Sequence, residues 1–124
     1  MTKRILVVED QEDNRRIIRD LLTSIGYERI EATDGEAGVR LAKEQRPDLI
    51  LMDIQLPLLD GYAATRRIKA EPQLRAIPIV VVTSYALSGD DAKAMAAGAD
   101  GYVAKPFSPR HLLATIRKFL PEDG

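Results

Sequence analysis

The chain has 124 residues, with 18 Lys and Arg against 19 Asp and Glu, one His, no Cys and no Trp. That length fits one domain, since domains run to roughly 100 to 200 residues, and a formal net charge of −1 excludes the basic excess of a general nucleic-acid binder. Absence of Cys excludes a disulfide scaffold, thiol catalysis and Cys-ligated metal sites, and no signal peptide or apolar run of the ~20 residues that span a bilayer is present.

In chain order, the first element is the apolar run Ile5 to Val8. It lacks polar alternation, as expected of a strand buried on both faces of a parallel sheet. Ile17, Ile18, Leu21, Leu22 and Ile25 then recur with helical spacing, and Gly26 is placed to end that helix. Arg15, Arg16 and Arg19 form a basic stripe on it, read first as a solvated helix face and second as a surface for docking a partner protein. A weaker strand follows at Arg29 to Ala32. The second helix begins after Asp34, a capping residue, and carries Ala37, Leu41 and Ala42 inward; Pro47 closes it off from the strand Leu49 to Met52.

The third helix spans Tyr62 to Ala70, burying Ala63, Ala64 and Ile68, with Pro72 as its stop. After the strand Ile79 to Val82, a fourth helix near Ser88 to Ala97 offers only Met95 as a large apolar anchor. It should be the most loosely held element, because small side chains bury little area. The last strand is Tyr102 to Ala104. Ser108 caps the fifth helix, Pro109 occupies its first position, and Leu112, Leu113, Ile116, Phe119 and Leu120 form its apolar face. The tail, Pro121 to Gly124, should fray. Strand and helix thus alternate five times, the pattern of a doubly wound α/β domain. Right-handed crossovers send every strand's C-terminal end to one edge, where ligands bind in such folds.

The residues that follow each strand should therefore converge: Glu9 and Asp10 after the first, Asp53 after the third, Thr83 and Ser84 after the fourth, Lys105 and Pro106 after the fifth. Like charges packed together disfavour ionisation unless a cation compensates. Oxygen ligands without His or Cys suit a hard cation such as Mg²⁺. Lys105 adds a point charge for an anionic group. Carboxylate, metal, ammonium and hydroxyl together are equipment for phosphoryl transfer, where positioning and charge neutralisation carry most of the catalysis. Asp53 is the sharpest signal, because it follows a buried run with no turn residue between. Pro106 can fix its loop, through a cis bond for instance.

The stretches ILVVEDQEDN (5–14), PDLILMDIQLPLLDG (47–61), IPIVVVTSYA (77–86) and GADGYVAKPF (98–107), in this order and spacing, resemble the receiver domain of two-component response regulators. The resemblance covers essentially the whole chain and leans toward stand-alone receivers of the chemotaxis and cell-cycle kinds, MDIQLP (52–57) favouring the latter. It implies a flavodoxin-like (βα)5 domain over 1–124 with strand order 2-1-3-4-5 and no output domain. Asp53 would be the phosphoacceptor, served by a histidine kinase or a histidine phosphotransfer protein. Asp10, Asp53 and the backbone carbonyl of Gln55 would ligate Mg²⁺, with Glu9 holding a metal-bound water. Thr83 and Lys105 would contact the phosphoryl oxygens, and Tyr102 would be a switch aromatic that turns inward as Thr83 shifts.

The resemblance further implies a protein that catalyses only its own phosphoryl transfer and dephosphorylation. It would be cytoplasmic, a monomer or weak dimer, and would signal to a protein target through the face formed by helix 4, strand 5 and helix 5. Gly61 permits the turn into the third helix. Gln55 and Ser84 would adjoin the phosphoryl group and affect its lifetime. His111, alone in the first turn of the fifth helix, is read as exposed.

Three other functions fit these residues less well. A flavin-binding electron carrier shares the strand order, but Glu9, Asp10, Glu12 and Asp13 would repel a phosphate after the first strand. An aspartate-nucleophile phosphohydrolase would usually carry a second acid where Gln55 stands. A phosphorylation-independent adaptor is disfavoured by retention of Glu9, Asp10, Asp53, Thr83 and Lys105.

Overall fold

The four branched apolar runs and the weaker fifth assemble into one parallel sheet in the computed structural model, which describes residues 2–83 and 90–120. The strands are β1 (Arg4–Val8), β2 (Glu28–Ala32), β3 (Leu49–Asp53), β4 (Ile79–Thr83) and β5 (Gly101–Ala104). The helices are α1 (Glu12–Ser24), α2 (Gly35–Gln45), α3 (Gly61–Ala70), α4 (Asp90–Ala96) and α5 (Pro109–Phe119). Strand order is β2-β1-β3-β4-β5, with every neighbouring pair parallel, the expected flavodoxin-like arrangement. After β2 the chain reverses its direction of travel across the sheet, so the switch point lies between β1 and β3.

Successive strand side chains point to opposite faces, and here both faces are covered. Ile5, Val7, Leu49, Leu51, Val80 and Val103 pack with Ile18, Leu22, Leu112 and Ile116 of α1 and α5. Leu6, Val8, Ile50, Met52, Ile79 and Val81 pack with Val39, Ala42, Ala64, Ile68 and Ala94 of α2, α3 and α4. Burial on both sides is why these strands read as continuous apolar runs.

Helix ends follow local chemistry. Asp34 accepts from the Ala37 N–H at 2.7 Å and Ser108 from the His111 N–H at 3.0 Å, as the capping rule requires. Asp60, unnoticed in the sequence, caps α3 through the Ala63 N–H at 2.9 Å, so the helix starts at Gly61 rather than Tyr62. At the end of α1, Gly26 adopts φ +86°. The Tyr27 N–H reaches the Leu22 carbonyl and the Gly26 N–H the Thr23 carbonyl, a Schellman closure that favours glycine.

Three expectations about helix faces fail. Ile17 is 53% exposed, while its neighbour Ile18 is buried; adjacent helical residues lie about 100° apart and cannot both centre one stripe. Met95 is 55% exposed, and α4 instead meets the sheet through Ala94, whose small side chain allows close approach. Arg15 and Arg19 are not part of a solvated stripe: both are partly buried and pair with Glu31 of β2. Residues 84–89 and 121–124 lie outside the described residues, and with them Ser84, the expected start of the fourth helix and the tail.

Candidate functional site

β1 and β3 run side by side with Val8 registered against Met52, so the residues just beyond them, Glu9, Asp10 and Asp53, meet at the C-terminal edge of the sheet. One carboxylate oxygen from each lies within 4.8 Å of the others. Glu9 and Asp53 are only 2% and 6% exposed, and Asp10 is half-buried. Like charges so placed repel one another with little screening. The cis Lys105–Pro106 bond follows β5, and the Lys105 ammonium enters the cluster, 2.9 Å from Glu9 Oε1 and 3.3 Å from Asp53 Oδ2. Burial works against the protonated lysine, but the hydrogen bond that Lys105 donates to Glu9 and the charges of Asp53 and Glu9 outweigh it, and the pKa of Lys105 is raised.

Backbone donors hold the carboxylates in place. Asp53 Oδ1 accepts from the Ile54 N–H at 2.8 Å and Glu9 Oε2 from the Gln11 N–H at 3.1 Å. Asp53 therefore has one oxygen on the chain and the other toward Lys105, which fixes its plane. Space around it depends on Gly61. A Cβ there would lie 2.1 Å from the Asp53 carbonyl oxygen and 2.7 Å from the Ile54 Cα. Gly61 is thus required for close approach beneath the site, a different reason from the turn the sequence suggested.

The remaining expected residues lie on β4, β5, α5 and the loop after β3. Thr83 ends β4, fully buried, one position beyond Val82, the register partner of Asp53. Its carbonyl accepts from the Lys105 N–H at 2.6 Å. Gln55 is exposed on the loop two residues past Asp53. Tyr102, partly buried on β5 opposite Val81, packs against the core cluster under α2, α3 and α4. His111 is exposed at the start of α5, as expected. Beside Lys105, a groove of about 410 Å³ runs between α1 and the loop after β5, lined by Asn14, Ile17, Lys105, Pro106 and Phe107.

In the sequence Arg15 stands out only as part of a basic stripe. Its guanidinium donates to the Glu9 carbonyl at 2.9 Å, approaches Glu31 at 3.4 Å and pairs with Glu12. Glu31 also takes a two-pronged contact from Arg19 at 2.7 and 2.8 Å. Hydrogen bonding from Arg19 and Arg29 outweighs partial burial and holds the Glu31 carboxyl below its ordinary range.

The donor set is all oxygen, from three carboxylates clustered on adjacent strand ends, which fits a hard divalent cation of the Mg²⁺ kind. Together the parallel (βα)5 fold and an acid trio facing a strand-end lysine define the response regulator receivers, signalling modules of two-component systems. The chain belongs to that family, whose receiver-domain pattern matches residues 5–117.

The polar-differentiation response regulator DivK of Brucella ovis is 42% identical to it over 120 residues, covering 97% of this chain and 98% of the relative. Among solved structures, the receiver domain of the sensor histidine kinase PA1611 from Pseudomonas aeruginosa has a magnesium ion coordinated in its active-site cleft. It superimposes with a TM-score of 0.91 at 42% identity, covering 97% of this chain and 98% of that one. The chemotaxis protein CheY4 of Vibrio cholerae matches with a TM-score of 0.90 at 28% identity, over 96% of this chain and 99% of its own. Among the described residues, no helix is long and apolar enough to cross a membrane.

Proposed function

We propose that this receiver takes a phosphoryl group onto Asp53 from a phosphohistidine on a histidine kinase or phosphotransfer protein, and signals through protein contacts favoured by the phosphorylated form. The observation that carries this reading is the buried, strand-end carboxylate of Asp53, held between the Ile54 N–H and the Lys105 ammonium inside an acid trio. A solvated loop aspartate would have neither the burial nor the fixed plane.

In this reading an Asp53 oxygen attacks phosphorus, the P–N bond breaks, and its electron pair remains on the leaving imidazole. The product is an acyl phosphate. Asp10 and Asp53, the Gln55 carbonyl and, through a water, Glu9 are the groups suited to hold Mg²⁺, which when bound neutralises charge on the phosphoryl oxygens. Lys105 exchanges its contact with Asp53 for a phosphoryl oxygen, and the Thr83 hydroxyl donates to another. The groove bordered by exposed Ile17 and by Phe107 opens beside Lys105 and is suited to receive the donor's histidine-bearing helix. This assigns docking to the apolar side of α1 rather than to its arginines.

The signal is then a population shift. Phosphorylation draws Thr83 toward Asp53 and favours an arrangement in which Tyr102 turns further inward, altering the α4–β5–α5 face that meets the target. The scant apolar anchoring of α4, with Ala94 as its buried contact, suits an element that must shift.

The test is incubation with a small acyl-phosphate donor. Wild-type protein should take up label with Mg²⁺ and much less without it, and Asp53→Asn should take up none. Equal labelling of wild type and Asp53→Asn would overturn the proposal.

A further inference from the structure

We infer that Arg15 is a positioning residue for the acid trio: by clamping the Glu9 carbonyl from outside the site, it sets the direction in which Asp10 presents its carboxylate. The inference rests on the reading of Glu9, Asp10 and Asp53 as a cation site. The peptide joining Glu9 to Asp10 lies just past the end of β1, whose registered pairing with β2 and β3 stops at Val8, and leads toward α1. The Glu9 N–H is held by the Ala32 carbonyl at 3.0 Å, and the Glu9 side chain by Lys105 and the Gln11 N–H. The Glu9 carbonyl is instead held by Arg15, at 2.9 Å. Rotation of that one peptide would swing Asp10 while leaving the Glu9 carboxylate anchored.

Arg15 is itself tightly placed. Its side chain is only 13% exposed. Glu12, one turn earlier on α1, and Glu31 on β2 hold the guanidinium from two sides, and Glu31 is fixed in turn by Arg19. The chain of contacts thus ties α1 and the edge strand β2 to the peptide that precedes Asp10. A planar guanidinium with several donors in fixed directions suits this task better than a lysine, which offers a point charge on a flexible stem.

The sign of the effect separates positioning from simple charge. Arg15 is a cation near a site that takes a cation. If its charge were what mattered, removing it would tighten Mg²⁺ binding. If positioning matters, removing it loosens Asp10 and weakens binding, by about tenfold for groups that orient metal ligands.

The experiment is calorimetric titration of Mg²⁺ into wild type, Asp10→Asn, Arg15→Gln, Arg15→Lys and Arg16→Gln, each first shown to be folded by urea unfolding. Arg16 is the exposed neighbour on the same helix and supplies the matched charge change. Expected are weaker binding by about tenfold in Arg15→Gln, an intermediate value in Arg15→Lys, and unchanged or slightly tighter binding in Arg16→Gln. Arg15→Gln binding as tightly as wild type would overturn the inference; should that variant not fold, Arg15→Lys binding as tightly as wild type would do so. Failure of the cation-site reading looks different: wild type itself would bind no Mg²⁺, or Asp10→Asn would bind as well as wild type.

Discussion

Lys105 and Glu9, 96 positions apart in the chain, form an ion pair at 2.9 Å at the C-terminal edge of the sheet. The carboxylate is almost fully buried, and the same ammonium stands 3.3 Å from Asp53. One lysine thus offsets the repulsion within a carboxylate trio.

A pH dependence follows. The pKa of Lys105 is raised in the folded protein, so its stabilising contribution is complete below the ordinary lysine value of about 10.4 and disappears as pH rises through the folded value. Lys105→Met should be less stable than wild type at pH 7 by about 1–3 kcal/mol. In urea unfolding, that gap should narrow as pH is raised above the ordinary lysine value. A gap that stays constant or widens would show that Lys105 stabilises by packing rather than by charge.

Gly61→Ala should damage both stability and the site. The added methyl meets backbone at 2.1 Å, and overpacking of this kind costs about 1–3 kcal/mol or more. Because the atoms in the way are the Asp53 carbonyl and Ile54, acyl-phosphate labelling should slow more than in a surface variant of equal stability, such as one with a lost helix cap.

Thr65→Val should stabilise the protein. Thr65 is fully buried in α3, and its hydroxyl has no hydrogen-bond partner among the described residues. Valine keeps the shape and removes the polar atom, so a gain of about 1 kcal/mol is expected, seen as a rise in Tm of roughly 3–5 °C. A lower Tm would mean that the hydroxyl is satisfied in solution.

Tyr102→Ala separates readout from chemistry. The ring packs on the core cluster beneath α2, α3 and α4, three residues before Lys105. Labelling of Asp53 should remain near wild type, while binding of the phosphorylated protein to its target should fall about tenfold or more, the scale of typical allosteric coupling. A matching loss of labelling would place Tyr102 in the site's support instead.

How far the sequence could be read depended on where each residue's partners lie. Asp53 and Thr83 were visible because they end runs of apolar residues buried on both faces, so a polar group there stands out. The caps at Asp34 and Ser108 were visible because a cap is local. Arg15 and Arg19 were not, since their partners, Glu9 just past the end of β1 and Glu31 on β2, are brought alongside only by the fold. Met95 misled for a related reason: large size suggests an anchor, but the distance between α4 and the sheet selects Ala94. The need for Gly61 arises from the backbone of Asp53 and Ile54, and no local pattern reports such an approach.

The phosphoacceptor can be located directly. Wild-type protein is phosphorylated with a small acyl-phosphate donor and Mg²⁺, the acyl phosphate is reduced with borohydride, and the altered residue is identified by peptide mass spectrometry. Conversion at Asp53, absent from the unphosphorylated protein, is the expected result. Conversion at Asp10 or Glu9 with Asp53 unchanged would overturn the assignment.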